Sequence, residues 1–141
     1  MDESTQINLE SGISAFASKL FSRALQLLTP LAEAGEPEAQ YRCAIMCQNG
    51  LGCVVDAGRA FTWMTAAAEA GLALAQHGLG FMYMEGECVE QDGEKAVYWY
   101  EKAAAQGLAG SLTTLAMMYE EGKLVPRDAE RARALYKKAG F

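Results

Sequence analysis

The chain of 141 residues carries 12 lysines and arginines against 18 aspartates and glutamates, a formal net charge of −6, and 51% of it is hydrophobic. That much apolar material can bury a substantial core without disulfide staples, while the negative balance argues against a nucleic-acid surface, which needs dense positive charge to displace counterions from phosphates. No apolar run nears the ~20 residues that span a bilayer, and the opening "MDESTQINLE" is polar and acidic where a secretory leader is basic and then apolar, so as written the chain is expected to be cytoplasmic, and periplasmic or secreted only if a leader was removed.

In chain order, the first apolar pattern runs over 7–35 and contains "FASKLFSRALQLLTPLAEAG". It ends on Gly35, and that glycine opens a series: Gly71 and Gly107 follow at intervals of 36 residues. The same interval joins Gly50, Gly86 and Gly122, then Asp56, Asp92 and Asp128, then Ala60, Ala96 and Ala132. Trp63 and Trp99 fall in register with Leu135, and Ala67 with Ala103 and Ala139. Self-similarity at a fixed period of this length is the signature of a repeat architecture.

Each period resolves into two short helices. In "AQHGLGFMYMEG", Ala75 to Gly86, residues Leu79, Gly80 and Tyr83 share one face and Gly86 is a C-terminal stop. Asp92 is placed to cap a second helix by accepting from backbone N–H groups that have no partner inside it. Within that helix Ala96, Trp99 and Ala103, joined by Val97 and Tyr100, form an apolar stripe at spacings of three and four. The units are expected at 38–73, 74–109 and 110–141, with 7–35 as a degenerate leading unit of shortened connection that caps the stack, all within one domain over 1–141. The last unit stops at Phe141, before a glycine in register could close it. One such hairpin has too little inward apolar face to stand alone, so the hairpins are expected to stack around a shared interior with Trp63 and Trp99 as structural residues.

The pattern Ala75-Gln76, Leu79-Gly80, Tyr83, Gly86, Val89, Gln91-Asp92, Lys95-Ala96, Trp99-Tyr100, Lys102-Ala103-Ala104 and Gly107 closely resembles the Sel1-like repeat, a relative of the tetratricopeptide repeat. The resemblance implies an all-α, right-handed superhelix of about three to four helix-turn-helix units of 36 residues. It also implies a scaffold or adaptor that binds another protein or a peptide in a concave groove lined by the first helix of each unit. Cys43 and Cys47 depart from the pattern, standing where it has leucine and tyrosine.

With Leu79, Gly80 and Tyr83 packed, the free face of that first helix carries His77, Phe81 and Met84. Its counterparts are Tyr41, Ile45 and Gln48 in the preceding unit, and Thr113, Met117 and Glu120 in the following one. Ile45, Phe81 and Met117 thus form an apolar row. Two readings stay open: the row packs between neighbouring first helices, or it seats a partner segment, with Tyr41, Gln48 and His77 offering hydrogen bonds.

No catalytic residue is assigned. His77 is the sole histidine, without a serine or cysteine at an activating spacing. The acidic stretches "YMEGECVEQDGE" and "YEEGKLVPRDAE" recur with the repeat and read as connections, and the glycine-rich turns match no nucleotide fingerprint, so no cofactor is expected. An alternative of another class is a thiol- or metal-binding protein using Cys43, Cys47 and Cys53, although their spacing lacks the paired-cysteine knuckle of zinc sites. Cys53 and Cys88 fall in connections. Self-association through the unfinished last unit is a further expectation.

Overall fold

The computed structural model describes all 141 residues and is all-α. Eight helices follow one another: α1 (Glu3–Ala17), α2 (Phe21–Glu33), α3 (Pro37–Asn49), α4 (Ala57–Glu69), α5 (Ala73–Glu85), α6 (Gly93–Ala105), α7 (Ala109–Glu121) and α8 (Ala129–Lys138). There is no strand, and no helix is long and apolar enough to cross a membrane.

Recurrent local chemistry makes these elements. Asp56, Asp92 and Asp128 precede α4, α6 and α8 in extended backbone, and their Oδ1 atoms accept from the amides of Arg59, Lys95 and Arg131 at 3.0, 3.1 and 3.0 Å. The amide of each aspartate donates back to the preceding helix, to the carbonyls of Cys47, Tyr83 and Tyr119, in each case at 2.9 Å. One residue per repeat therefore starts the second helix and ties it to the first. Gly50, Gly86 and Gly122 end α3, α5 and α7 with φ of 67°, 69° and 66°, a left-handed conformation that costs glycine little and any other residue more. At the far end of the repeat, Gly140 adopts φ of 102°, matching the 98°, 97° and 87° of Gly35, Gly71 and Gly107. A closing glycine is thus present three residues ahead of the repeat register, because α8 is that much shorter than α4 and α6.

The helices group into two compact bodies, Met1–Leu72 and Ala73–Phe141. In the first, α1 packs on α2, α2 on α3 and α3 on α4. Its core holds Ala24, Leu28, Ala44, Met46, Ala60, Trp63 and Met64, together with Cys43 and Cys47, which fill it as small apolar groups. The shortened connection expected between the leading helices is the three residues Ser18 to Leu20. In the second body α5 packs on α6, α6 on α7 and α7 on α8. Ala96, Tyr100, Leu115, Met118 and Val125 form its centre, with Tyr83, Val97, Tyr119 and Leu135 packed around them.

The tryptophan register needs a correction. Trp63 is buried beneath the Arg59 guanidinium, 4.3 Å from its ring, but Trp99 is only half-buried and meets Tyr98 edge-on at 5.1 Å. The buried aromatic of α6 is its neighbour Tyr100, fully shielded from solvent, whose counterpart Met64 in α4 is likewise enclosed.

Candidate partner-binding site

The face of α5 and α7 that is free of packing duty encloses a depression of about 490 Å³ within the second body. Phe81 and Met84 line it from α5, Met117 and Met118 from α7, and Leu124 from the connection that follows α7. Phe81 and Met117, one repeat apart, remain 38% and 46% exposed. Both stand at the surface.

The floor comes from α6. Gly80 has no side chain where Ala44 and Ala116 stand in the neighbouring repeats, and the Tyr100 ring occupies that space. A Cβ at Gly80 would lie 3.0, 3.0 and 3.1 Å from three ring atoms. From this position the Tyr100 hydroxyl reaches Met84 Sδ at 3.8 Å, and the ring meets His77 edge-on at 5.0 Å. Burial pushes the phenol pKa well up, so the floor is neutral.

His77 is half-buried at the edge of the depression, with Nδ1 2.8 Å from the hydroxyl of Ser111. Ser111 is fully enclosed and takes the place that Ala39 and Ala75 have in the other repeats, so the second body carries a polar tie between α5 and α7 that the repeat pattern does not require. Burial lowers the His77 pKa, leaving the imidazole neutral near pH 7. A histidine bonded to a fully buried serine, with no carboxylate to orient it, lacks the parts of a nucleophilic site.

Among the residues expected on the free face, His77, Phe81, Met84 and Met117 come together here. Thr113 and Glu120 do not line the depression, and Thr114 and Glu121 line it in their place. The Thr113 hydroxyl donates to the Ala109 carbonyl at 3.1 Å, while Glu120 accepts from the Tyr136 hydroxyl at 3.3 Å. Tyr41, Ile45 and Gln48 belong to α3 in the first body and are each half-buried, the Arg42 guanidinium lying 5.7 Å from the Tyr41 ring centre. Sequence periodicity missed Tyr100, Glu85, Glu121 and Leu124. The glycine at 80 was the available signal for Tyr100, whereas Leu124 lies in a connection, where periodicity carries no information.

No group of three or more metal-ligating side chains is drawn together anywhere in the chain, so Cys43, Cys47 and Cys53 do not form a ligand set, and the metal alternative is set aside. Cys43 and Cys47 are buried, and desolvation pushes both thiols up to about 11, far from the thiolate that metals and electrophiles require. Cys53 and Cys88 are half-buried rather than open to solvent, the Cys53 thiol lying 3.6 Å from the Met46 carbonyl.

Helical hairpins of 36 residues, each capped by an aspartate and stopped by a left-handed glycine, define a class of helical-repeat proteins. The Sel1 repeat model matches residues 37–72, 73–108 and 111–140, and the chain belongs to the Sel1 repeat family. Its fold matches the crystal structure of a Sel1 repeat protein from Oxalobacter formigenes, with a TM-score of 0.85 and 30% identity over 94% of this chain. It is also similar to a protective antigen present in uropathogenic Escherichia coli strains that displays an SLR fold, with a TM-score of 0.88 and 34% identity over 96% of this chain. The matches cover 53% and 30% of those two proteins, so this chain spans only part of their length. No curated protein matches it. Sel1 repeat proteins generally act as protein-interaction scaffolds, and the fold is typically non-enzymatic.

Proposed function

We propose that this chain is an interaction module that holds a peptide or protein segment against the free face of its first helices. The depression bounded by Phe81, Met84, Met117 and His77 is the principal contact, with Thr113 and Glu120 of α7 as further contacts. Tyr41, Ile45 and Gln48 offer the corresponding surface on α3 in the first body. The observation that carries the reading is the pair Phe81 and Met117, large apolar side chains at one repeat position, open to solvent above an apolar floor. Contiguous exposed apolar surface of this kind marks interaction sites, and thioethers adapt to irregular partners. The unpaired thiols, two of them enclosed in the core, fit work in a reducing compartment such as the cytoplasm.

The test is selection of peptides from a displayed random pool on the immobilised full chain and on the double variant Phe81→Ser, Met117→Ser. Both positions are exposed, so the far-ultraviolet circular dichroism of the variant should match the parent. Enriched peptides should be captured by the parent and lost from the variant. Equal capture by both would eliminate the depression as the binding surface.

A further inference from the structure

Building on that reading of the depression, we infer that its occupant is a basic–apolar segment of a partner protein: one large apolar side chain seated between Phe81 and Met117, with a lysine or arginine beside it facing Glu85 and Glu121. The apolar half follows from the walls and floor. Phe81, Met117 and Leu124 are solvent-exposed around a floor of buried Tyr100 and Met118, and the volume lies within the range of pockets that take small ligands.

The cationic half follows from charges the fold does not need. Glu85 and Glu121 are the last residues of α5 and α7, one repeat apart, and both line the depression. A helix C-terminus already carries the negative end of the backbone dipole, and a carboxylate there is disfavoured. Neither carboxylate is relieved by an ion pair, and both are exposed. The first body shows that the repeat does not demand the charge: the same position in α3 is Asn49, whose amide donates to the Ile45 carbonyl at 2.9 Å. Lys123 also faces the depression, but one cation against two carboxylates and two helix ends leaves the opening negative. A lysine or arginine reaching across it removes that repulsion, while its methylene stem continues the apolar contact.

The experiment uses the same displayed random pool on the full chain, with the best binder resynthesised as a fluorescein-labelled peptide. Selected sequences should carry a Leu, Phe, Met or Trp with Lys or Arg within a few residues. Binding should weaken as salt rises from about 50 to 500 mM, because screening shortens the reach of the carboxylates. The charge-reversal variant Glu85→Lys, Glu121→Lys should bind the labelled peptide at least about tenfold more weakly, a loss of ~1.4 kcal/mol, and should select acidic flanks from the pool. Selected peptides without basic flanks would overturn the inference. So would charge reversal that leaves binding within about twofold, the scale of an exposed ion pair that contributes little. In either case the groove reading survives as long as Phe81→Ser, Met117→Ser still abolishes capture. If that double variant captures the same peptides as the parent, or if the pool yields no enrichment on the parent, both readings fall.

Discussion

Gly80→Ala is the sharpest probe of how the depression is built. The added methyl would sit 3.0–3.1 Å from three atoms of the Tyr100 ring, against the roughly 3.5–4.0 Å at which carbon atoms rest. The ring must therefore give by a few tenths of an ångström. The ring is shielded from solvent and packs in a core that also holds Ala96, Leu115 and Met118, so even a small shift disturbs those contacts. Overpacking of this sort costs about 1–3 kcal/mol. Replacing a mid-helix glycine by alanine returns about 0.8–1 kcal/mol of helix propensity. The expected balance is a loss of about 1 kcal/mol, which lowers Tm by about 2–4 °C for a chain of this size. Urea unfolding followed by circular dichroism would read it as a lower midpoint at unchanged slope. Adding Tyr100→Met recreates the Ala44 and Met64 combination found at these positions in α3 and α4. The double variant should then lose less than the sum of the singles, by about 1 kcal/mol. If Gly80→Ala proves more stable than the parent by the full helix-propensity gain, the ring is not held against the glycine and this account of the floor is wrong.

Three further outcomes are expected. Replacing Asp56, Asp92 or Asp128 by alanine removes a hydrogen bond of 3.0–3.1 Å to a helix N-terminal amide and should cost about 1 kcal/mol each in urea unfolding; three unchanged midpoints would show that the caps are incidental. His77 is the only histidine, and its folded pKa is lowered by burial, so below the ordinary value of 6.5 the unfolded chain binds the proton first and stability falls with falling pH. His77→Gln should remove that slope between about pH 7 and 5, and the imidazole resonance in NMR should titrate below the unfolded value; an identical slope in the variant would place its origin elsewhere. Alkylation at pH 8 with mass-spectrometric readout should label Cys43 and Cys47 only slowly until urea is added, since burial holds both thiols near 11; rapid labelling of either in the folded protein would contradict their place in the core.

The architecture was legible because folding imposes it on the sequence at fixed intervals. A cap, a left-handed stop and a small residue at the helix crossing are each met by very few residue types, so Asp92, Gly86 and Ala96 recur openly. Large core side chains are less constrained, and there the sequence misled. Tryptophan at 63 and 99 suggested one role for both, yet the position enclosed in both repeats is the next one, Met64 and Tyr100, and of the two indoles only Trp63 is also buried. The methionines at 46, 82 and 118 recur at the same interval and are all buried, a core signal as plain in the sequence as the tryptophans. At the candidate site periodicity gave the free face but not its edges. Glu121 replaces Glu120 and Thr114 replaces Thr113 because the depression lies toward one side of α7, a direction set by how α5 and α7 sit on α6.

Comparison of the repeats with one another separates what packing requires from what it leaves open. Positions 44, 80 and 116 hold only alanine or glycine, and positions 46, 82 and 118 only methionine, because the core constrains them. Positions 41, 77 and 113 hold tyrosine, histidine and threonine, and positions 48, 84 and 120 hold glutamine, methionine and glutamate, a variety the fold tolerates even where His77 bonds to the buried Ser111. Recognition chemistry can be written into the second set without disturbing the first. Tyr100 is where the two meet, since its ring is at once core and floor. A change there alters stability and binding together, whereas Phe81 and Met117 report on binding alone, and for this reason the decisive variants are placed at the exposed pair.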